Sequence, residues 1–360
     1  MPEDKDSKMY LDRIIDREAL SDYLEDQLEP VDTYEVQHHG EGHSNETIII
    51  TWGDTDLIIR RPPPGRVASS AHDVLREHHV IDALQDTAVN VPPTVAATDD
   101  HSIIGSDFYI MEAVDGDVIR TTVPDRFQTP EHRHRIGTEL VDRLAEVHEV
   151  DYEAAGLGEF GYPDGFTERQ VERWTKQFEW AAEVTANERA VPQVKDVVDW
   201  LENNSPTDHP HTLIHGDYKL DNVMFGPATP PKIVSLFDWE LSTLGDPFTD
   251  LGWMLSFWWD EKDPNKPAST GDLYPNFMRQ NDYLTRQELV DRYENQTGLT
   301  FENEQFYRVL AVFKLTALGE MFYRRYLEGN SDDPLYPEME EGVPELADRA
   351  VRMIEGDEPL

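Results

Sequence analysis

The sequence predicts an α+β chain of two lobes, a small β-rich one followed by a larger helical one, and three observations predict it. The chain has 360 residues, enough for two compact units at roughly 150 residues per domain. Short β-branched runs separated by turn signals crowd its first third, at Ile48–Ile50 and Leu57–Ile59. From about residue 131 the apolar residues recur at helical spacing instead.

In chain order, residues 1–30 predict an amphipathic helical extension, with Leu11, Ile14, Ile15, Leu20, Tyr23 and Leu24 at helical spacing. The segment VQHHGEGHSNETIIITWGDTDLIIRRPP reads as three strands, with a glycine turn before the second and Gly53-Asp54 before the third. Pro62-Pro63-Pro64-Gly65 ends that sheet. Residues 70–86 read as a helix striped by Val74, Val80, Ile81 and Leu84. Pro92-Pro93 opens an extended segment, SDFYIMEAV (106–114) is a buried strand by its apolar run, and Asp115-Gly116 is a turn. The small lobe is therefore expected over 31–117 and the large one over 118–360. In the large lobe helices are expected at 131–149, 167–188 and 193–203. Strand-like runs follow at 211–215, 222–225 and 232–238, then helices at 247–259, 274–297 and 303–326. A polar, proline-containing loop covers 260–273, and the acidic tail turns helical at 343–354. No internal repeat is visible.

Composition excludes several function classes. The formal net charge is −42, and carboxylates at that density repel one another in the compact state. At molar salt the Debye length falls to about 3 Å, which screens the repulsion. Lysines are scarce, cysteine is absent, and the acid is spread along the whole chain. We read this as salt adaptation, as in a halophile, in preference to an acidic partner-binding surface. No basic stripe is present, so a nucleic-acid partner is not expected. Without cysteine there is neither a disulfide framework nor a thiolate metal site. The start, MPEDKDSKMY, has no apolar core segment, and no apolar run approaches about 18 residues. A soluble, cytoplasmic protein is the expectation.

The sharpest motif is Leu213-Ile214-His215-Gly216-Asp217-Tyr218-Lys219-Leu220-Asp221-Asn222-Val223-Met224-Phe225. Two apolar runs bracket a polar loop that places Asn222 five positions after Asp217. Kinase catalytic loops have that spacing: the Asp accepts the proton of the attacking hydroxyl, and the Asn binds a metal on the phosphates. A second carboxylate, Asp238, ends the apolar run Ser235-Leu236-Phe237. It suits Mg²⁺, which takes oxygen ligands from one or two carboxylates, phosphates and water, and Glu240 could add another. In Gly245-Asp246-Pro247-Phe248-Thr249-Asp250-Leu251-Gly252, Asp246 reads as a helix cap with Pro247 at the first helical position, a structural support for the loop.

HGDYKLDN, FDWELSTLGDPFTDLG and Arg169-Gln170…Arg173-Trp174 together resemble the aminoglycoside phosphotransferase family, choline-kinase-like proteins included, and in particular the branch fused to acyl-CoA dehydrogenases. The resemblance runs from about residue 34 to 326. It implies a protein-kinase-like fold with ATP and Mg²⁺ as cofactors, Asp217 as base, and Asn222, Asp238 and Glu240 around the metal. Gly40, Gly42, Ser44 and Asn45 then fall in the phosphate-covering turn. Arg60, with Arg61 as the alternative, takes the place of the usual lysine on the third strand, and Glu77 is its partner on the following helix. Glu112 and Ala113 fall where main-chain groups meet the adenine. The resemblance offers aminoglycosides, choline-like alcohols, sugars or hydroxyacyl compounds as acceptors, and a non-antibiotic metabolic hydroxyl is the expected one. The rival reading is a nucleotide-binding pseudokinase with a regulatory role, favoured only by Arg60 in the lysine's place.

Other residues have blander readings. His215 is read as a packed residue that hydrogen-bonds the loop backbone. His38-His39, His78-His79 and His132-Arg133-His134 lack a companion carboxylate at ligand spacing and read as surface histidines. Trp253, Phe257, Trp258 and Trp259 read as a core stripe rather than a pocket lining. Lys219 either neutralises the transferring phosphate or faces solvent.

Overall fold

The computed structural model describes residues 5–39, 45–63, 73–260, 263, 277–331 and 333–360. The N-terminal segment forms two helices, α1 (Lys5–Ile14) and α2 (Arg17–Gln27), where a single amphipathic stretch was expected. The break falls at Asp16, whose carboxylate accepts hydrogen bonds from the backbone N–H of Glu18 at 3.1 Å and Ala19 at 3.2 Å. An aspartate there satisfies the open amides of a new helix better than it would serve the interior of a continuous one.

Five strands follow: β1 (Tyr34–His39), β2 (Glu46–Trp52), β3 (Thr55–Arg61), β4 (Thr94–Thr98) and β5 (Phe108–Glu112). They form one antiparallel sheet in the order β1-β2-β3-β5-β4. Gly53, with φ of +61°, makes the tight turn between β2 and β3. Ile48, Ile50, Trp52, Leu57, Ile59, Phe108 and Ile110 pack with Leu11, Ile14, Ile15, Leu20, Leu24, Ile103 and Ile104, so α1, α2 and the one-turn helix α4 (His101–Ile104) cover one face. Against the other lies α3 (Val74–Leu84), capped by Asp73 through the Arg76 N–H at 2.9 Å. Residues 70–72 of the expected helix, and Pro64-Gly65, lie outside the described residues.

The chain crosses to the helical lobe at Asp117, which exchanges backbone hydrogen bonds with Phe225 at 2.8 and 2.9 Å. A side chain at Gly116 would overlap the Phe225 carbonyl, so glycine lets the two backbones meet. The helical part comprises α5 (Pro130–His148), α6 (Phe166–Thr185), α7 (Gln193–Asn204), α8 (Phe248–Ser256), α9 (Arg286–Thr297), α10 (Glu304–Leu327) and α11 (Leu335–Glu355). Helix α10 is buried on most of its circumference and packs on α6, α7, α8 and α11. Four short strands form two small antiparallel pairs: β6 (Thr212–Ile214) with β9 (Thr243–Gly245), and β7 (Val223–Phe225) with β8 (Ile233–Leu236).

Several elements differ from expectation. Strand β9 was not foreseen. Helix α8 stops at Ser256 instead of running to 259. The helix expected at 274–297 is α9, which begins at Arg286 behind a Thr285/Glu288 capping box, preceded by a 3₁₀ turn at Phe277–Arg279. Residues 274–276 and most of the 260–273 loop lie outside the described residues. Helix α11 begins at Leu335, well before 343. Among the described residues no helix is long and apolar enough to cross a membrane.

Candidate active site

Two strand pairs frame a loop. β6 delivers His215, Gly216 and Asp217, the 3₁₀ turn Leu220–Asn222 leads into β7, and β8 ends just before Asp238. Gly216 has φ of +84°, and a Cβ there would overlap the Leu241 carbonyl. Only glycine fits both demands. Asp250, at the start of α8, accepts from the backbone N–H of His215 at 2.6 Å and of Gly216 at 2.8 Å. His215 is fully buried against Trp239. Its Nε2 donates to the Phe237 carbonyl at 3.1 Å and its Nδ1 accepts from the Asp217 N–H at 3.3 Å. Burial lowers its pKa, so a neutral ring with the proton on Nε2 joins the two strand ends. The packed-support readings of His215 and of the Gly245–Gly252 segment agree with this geometry: Asp246 Oδ1 accepts from the Phe248 N–H at 3.0 Å, and its Oδ2 accepts from the Tyr307 hydroxyl at 2.6 Å.

Both oxygens of Asp217 are held. Oδ2 accepts from Lys219 Nζ at 2.7 Å and from Asn222 Nδ2 at 2.8 Å. Oδ1 accepts from the indole N–H of Trp253, on α8, at 2.7 Å. The side chain is 20% exposed, so Asp217 is held without being sealed from solvent. Burial alone would raise its pKa, but the ammonium groups of Lys219 and Lys314 outweigh burial and hold it below the ordinary carboxylate value. Lys219 is turned inward onto Asp217, which discards the solvent-facing alternative. Asn222 donates its amide N–H to Asp217 twice, to the carboxylate and at 2.7 Å to the backbone carbonyl. That leaves Oδ1 as the amide's acceptor for another partner.

Asp238 has a left-handed backbone, φ of +67°, uncommon outside glycine and tolerated best by Asp and Asn. Its Oδ1 accepts from Arg60 at 3.4 Å. Arg60 donates to Thr47 Oγ1 at 2.8 Å and lies 3.7 Å from Glu77 on α3. Burial would lower the Arg60 pKa, yet Glu77, Tyr109 and Asp238 together raise it. Glu77 is 1% exposed in its side chain; burial raises its pKa, and Arg60 and the Tyr109 hydroxyl partly offset that. Arg61 takes the opposite face of the sheet. It donates to the carbonyls of Ile14 at 2.5 Å, Ile104 at 3.1 Å and Pro62 at 3.3 Å. Of the two arginines, only Arg60 reaches the cleft.

Gly40, Gly42 and Ser44 lie outside the described residues. Asn45 is buried, and its Nδ2 donates to Glu240 Oε2 at 3.4 Å across the cleft. Its own Oδ1 is buried without a hydrogen-bond partner. The main-chain N–H groups at the expected adenine contact are engaged: Glu112 donates to Pro93 and Ala113 to Asp56, each at 2.8 Å. Of the main-chain groups expected to meet the base, these two N–H groups are thus committed within the sheet. Among the described residues no cluster of three or more His, Asp or Glu side chains is placed to hold a metal by itself. Asn222 and Asp238 nonetheless fit Mg²⁺, because a hard ion accepts an amide oxygen and one carboxylate and completes its shell with phosphates and water. The two lie at neighbouring strand ends, with the Phe237 N–H donating to the Asn222 carbonyl at 3.2 Å.

Three contributors were missed in the sequence. Trp253 was read as core, and it is buried, but its indole N–H is spent on Asp217. Tyr109, the cross-strand neighbour of Arg60, lies close enough to Glu77 and Arg60 to shift the pKa of both. Lys314 on α10 donates to the Gly216 carbonyl at 2.6 Å and stands over the Trp253 ring, 3.8 Å from its centroid. The Arg173-Trp174 pair on α6 lies on the same side, with Lys314 5.5 Å from the Trp174 ring. Only a lone lysine in an otherwise apolar helical run could have signalled Lys314.

Comparison with known proteins follows the same geometry. The model of the phosphotransferase enzyme family matches residues 35–286. Acyl-CoA dehydrogenase family member 11 of Gallus gallus is 31% identical over 329 residues, covering 90% of this chain and 41% of that protein. The Homo sapiens protein of the same name is 31% identical over 327 residues, covering 88% and 40%. The chain thus spans about two fifths of the length of these curated relatives. A Ralstonia eutropha protein provisionally called an aminoglycoside phosphotransferase superposes with a TM-score of 0.80 at 29% identity, covering 95% of this chain and 99% of that one. A choline kinase from Cryptosporidium parvum superposes at 0.63 with 11% identity, covering 95% and 96%, a likeness of fold.

Proposed function

Because the chain belongs to the phosphotransferase enzyme family, and so to the small-molecule phosphotransferases, we propose that it moves the γ-phosphate of ATP, in the presence of Mg²⁺, to a hydroxyl of a small metabolic alcohol or hydroxyacyl compound. The observation that carries this reading is the carboxylate of Asp217, held on both oxygens in a side chain that stays 20% exposed, beside Asn222 and one strand end from Asp238.

Each side chain has a definite task in it. Asp217 orients the acceptor hydroxyl and takes its proton. Lys219 shields the base from the negative charge of the donor. Arg60, aimed by Thr47, Glu77 and Asp238, binds the donor phosphates as a planar two-pronged donor where other kinases use a lysine. Asn222 and Asp238 would hold Mg²⁺, which supplies charge neutralisation at the phosphates. Phosphoryl transfer asks chiefly for such positioning and neutralisation.

The charge around the base supports the choice of acceptor. Lys219 and Lys314 flank Asp217, and Arg173 lies close enough to lower the Lys314 pKa. A polycationic aminoglycoside would meet like charge at the reacting end, whereas a neutral or anionic hydroxy compound would not.

The test is transfer from [γ-³²P]ATP in molar KCl to four probe sets: hydroxy acids, hydroxyacyl thioesters, choline-type alcohols and aminoglycosides. A hydroxy acid or hydroxyacyl thioester should turn over and aminoglycosides should not. Asp217→Asn should lower kcat by about 10²–10⁴-fold while ATP still binds. An unchanged kcat in that variant would remove Asp217 from the role, and preferential turnover of aminoglycosides would remove the acceptor class.

A further inference from the structure

Lys314 sits in the middle of α10, between two indoles. Its ammonium is 3.8 Å from the ring centroid of Trp253 and 5.5 Å from that of Trp174. It donates to the carbonyl of Gly216, the residue before the base, at 2.6 Å. An apolar side chain of similar length would fill the same space without the cost of desolvating a charge. Packing therefore does not explain a cation at this point. The charged groups around it come from three other elements: Asp217 and Lys219 on the loop, Asp250 on α8 and Arg173 on α6.

We propose that Lys314 is a positioning residue for phosphoryl transfer, acting on Asp217 through two contacts at once: the Gly216 carbonyl, which it pins, and the Trp253 indole, which it braces. Trp253 donates its N–H to Asp217 Oδ1 at 2.7 Å. A cation over the indole face is attracted by the ring's quadrupole and fixes the ring plane, and with it the direction of that N–H. Gly216 is the hinge by which Asp217 leaves β6, with a φ of +84°. Holding its carbonyl from behind fixes the backbone from which the carboxylate projects. The role is assigned to Lys314 through these protein contacts alone. This inference rests on the reading of Asp217 as the catalytic base. It also carries a pH signature. Burial brings the Lys314 ammonium down to about 8, despite Asp217 and Asp250, so its charge is lost on the alkaline side of neutrality.

The test is steady-state kinetics in molar KCl of the wild type, Lys314→Met, Lys314→Arg, Trp253→Phe and Lys314→Met/Trp253→Phe. The reaction followed is transfer from Mg-ATP to the best acceptor of the panel, or to water if no acceptor is used. Lys314→Met should lower kcat about tenfold to a hundredfold, the scale of a misplaced catalytic group, with the KM for ATP unchanged. The wild type should show an alkaline fall in kcat near pH 8, and Lys314→Met should lose it. Lys314→Arg should recover most of kcat and carry its charge through that range, so the fall moves to higher pH. Trp253→Phe should cost kcat as well, and the double variant should lose less than the product of the two single losses, because both act on one carboxylate. If Lys314→Met fails to fold, Lys314→Arg and Trp253→Phe still carry the pH and kcat comparisons. A Lys314→Met enzyme with wild-type kcat, one that keeps the fall near pH 8, or losses that simply multiply would overturn the proposal. A wild type that transfers phosphate to nothing, water included, would instead bring down the underlying phosphotransferase reading and this proposal with it.

Discussion

Arg60 and Arg61 are adjacent in sequence and do unrelated work, because successive side chains of a strand face opposite sides of a sheet. Leu57, Ile59 and Arg61 share the face covered by α1, α2 and α4, while Arg60 shares the cleft face with its cross-strand neighbour Tyr109. The run Leu-Ile-Ile-Arg-Arg contains no polar alternation, so the sequence alone favoured Arg60 but left Arg61 open as the alternative. Once the packed face is known, the choice is forced. Asp217, Asn222 and Asp238 were legible because short loops of fixed spacing carry them. Trp253 and Lys314 were not, since their approach to Asp217 depends on how α8 and α10 pack, many residues away. The arginine pair gives a clean contrast. Arg61→Ala leaves the buried carbonyls of Ile14 and Ile104 without their donor, and should cost about 1–3 kcal/mol of stability in urea unfolding with ATP affinity unchanged. Arg60→Ala should weaken ATP binding measured by calorimetry, and, because it strands the buried Glu77 carboxylate, should lower the unfolding midpoint as well. Equal effects of the two changes on ATP affinity would refute the assignment of faces.

Helix α3 shows how an element is held where a site needs it. It carries Glu77, which aims Arg60, and the preceding residue, Arg76, reaches out of the small lobe to the helical one. Arg76 donates to the Ser242 carbonyl at 2.8 Å and the Phe160 carbonyl at 2.9 Å, and lies 3.9 Å over the Phe160 ring. The helix is thereby tied to the segment that follows Asp238. Arg76→Ala removes two hydrogen bonds and a cation–π contact, and should raise the KM for ATP several-fold while the folded state survives. A wild-type KM would show that the sheet alone sets the position of α3. The same scale explains what the sequence concealed. Thr285 and Glu288 form a capping box, and the Thr-x-x-Glu pattern was present to be read as the true start of α9; the apolar residues upstream drew the expected helix too far back. Strand β9 is three residues long, and what makes it a strand is pairing with β6, a long-range contact that no local pattern announces. Asp16, by contrast, is a local signal, and it divides the N-terminal helix at a residue whose side chain prefers a cap to an interior.

At the scale of the whole molecule the balance is electrostatic. Composition alone displayed the net charge of −42, but not how the few cations are spent. Many arginines are consumed inside: Arg349 is held by Glu358 at 2.8 Å, Arg286 by Asp263 at 2.5 Å, Arg189 by Glu320 at 2.6 Å, and all of these are buried or nearly so. Pairs of that kind are screened little by salt. The excess carboxylates remain at the surface, where they oppose one another. Raising KCl from 0.1 to 1 M shortens the Debye length from about 10 Å to about 3 Å, so repulsion between neighbouring surface carboxylates should fade while the interior pairs keep their strength. The melting temperature should therefore climb steadily with KCl from 0.1 to 2 M, by roughly 5–10 °C if a few kcal/mol of self-repulsion is relieved at about 2–4 °C per kcal/mol. Sucrose at matched osmolality should reproduce only part of the gain, because it strengthens burial without screening charge. Scanning calorimetry in the two series separates the causes. A melting temperature that stays flat in KCl would mean that the acidic surface is tolerated without salt, and its density would then need another explanation, such as a cationic partner.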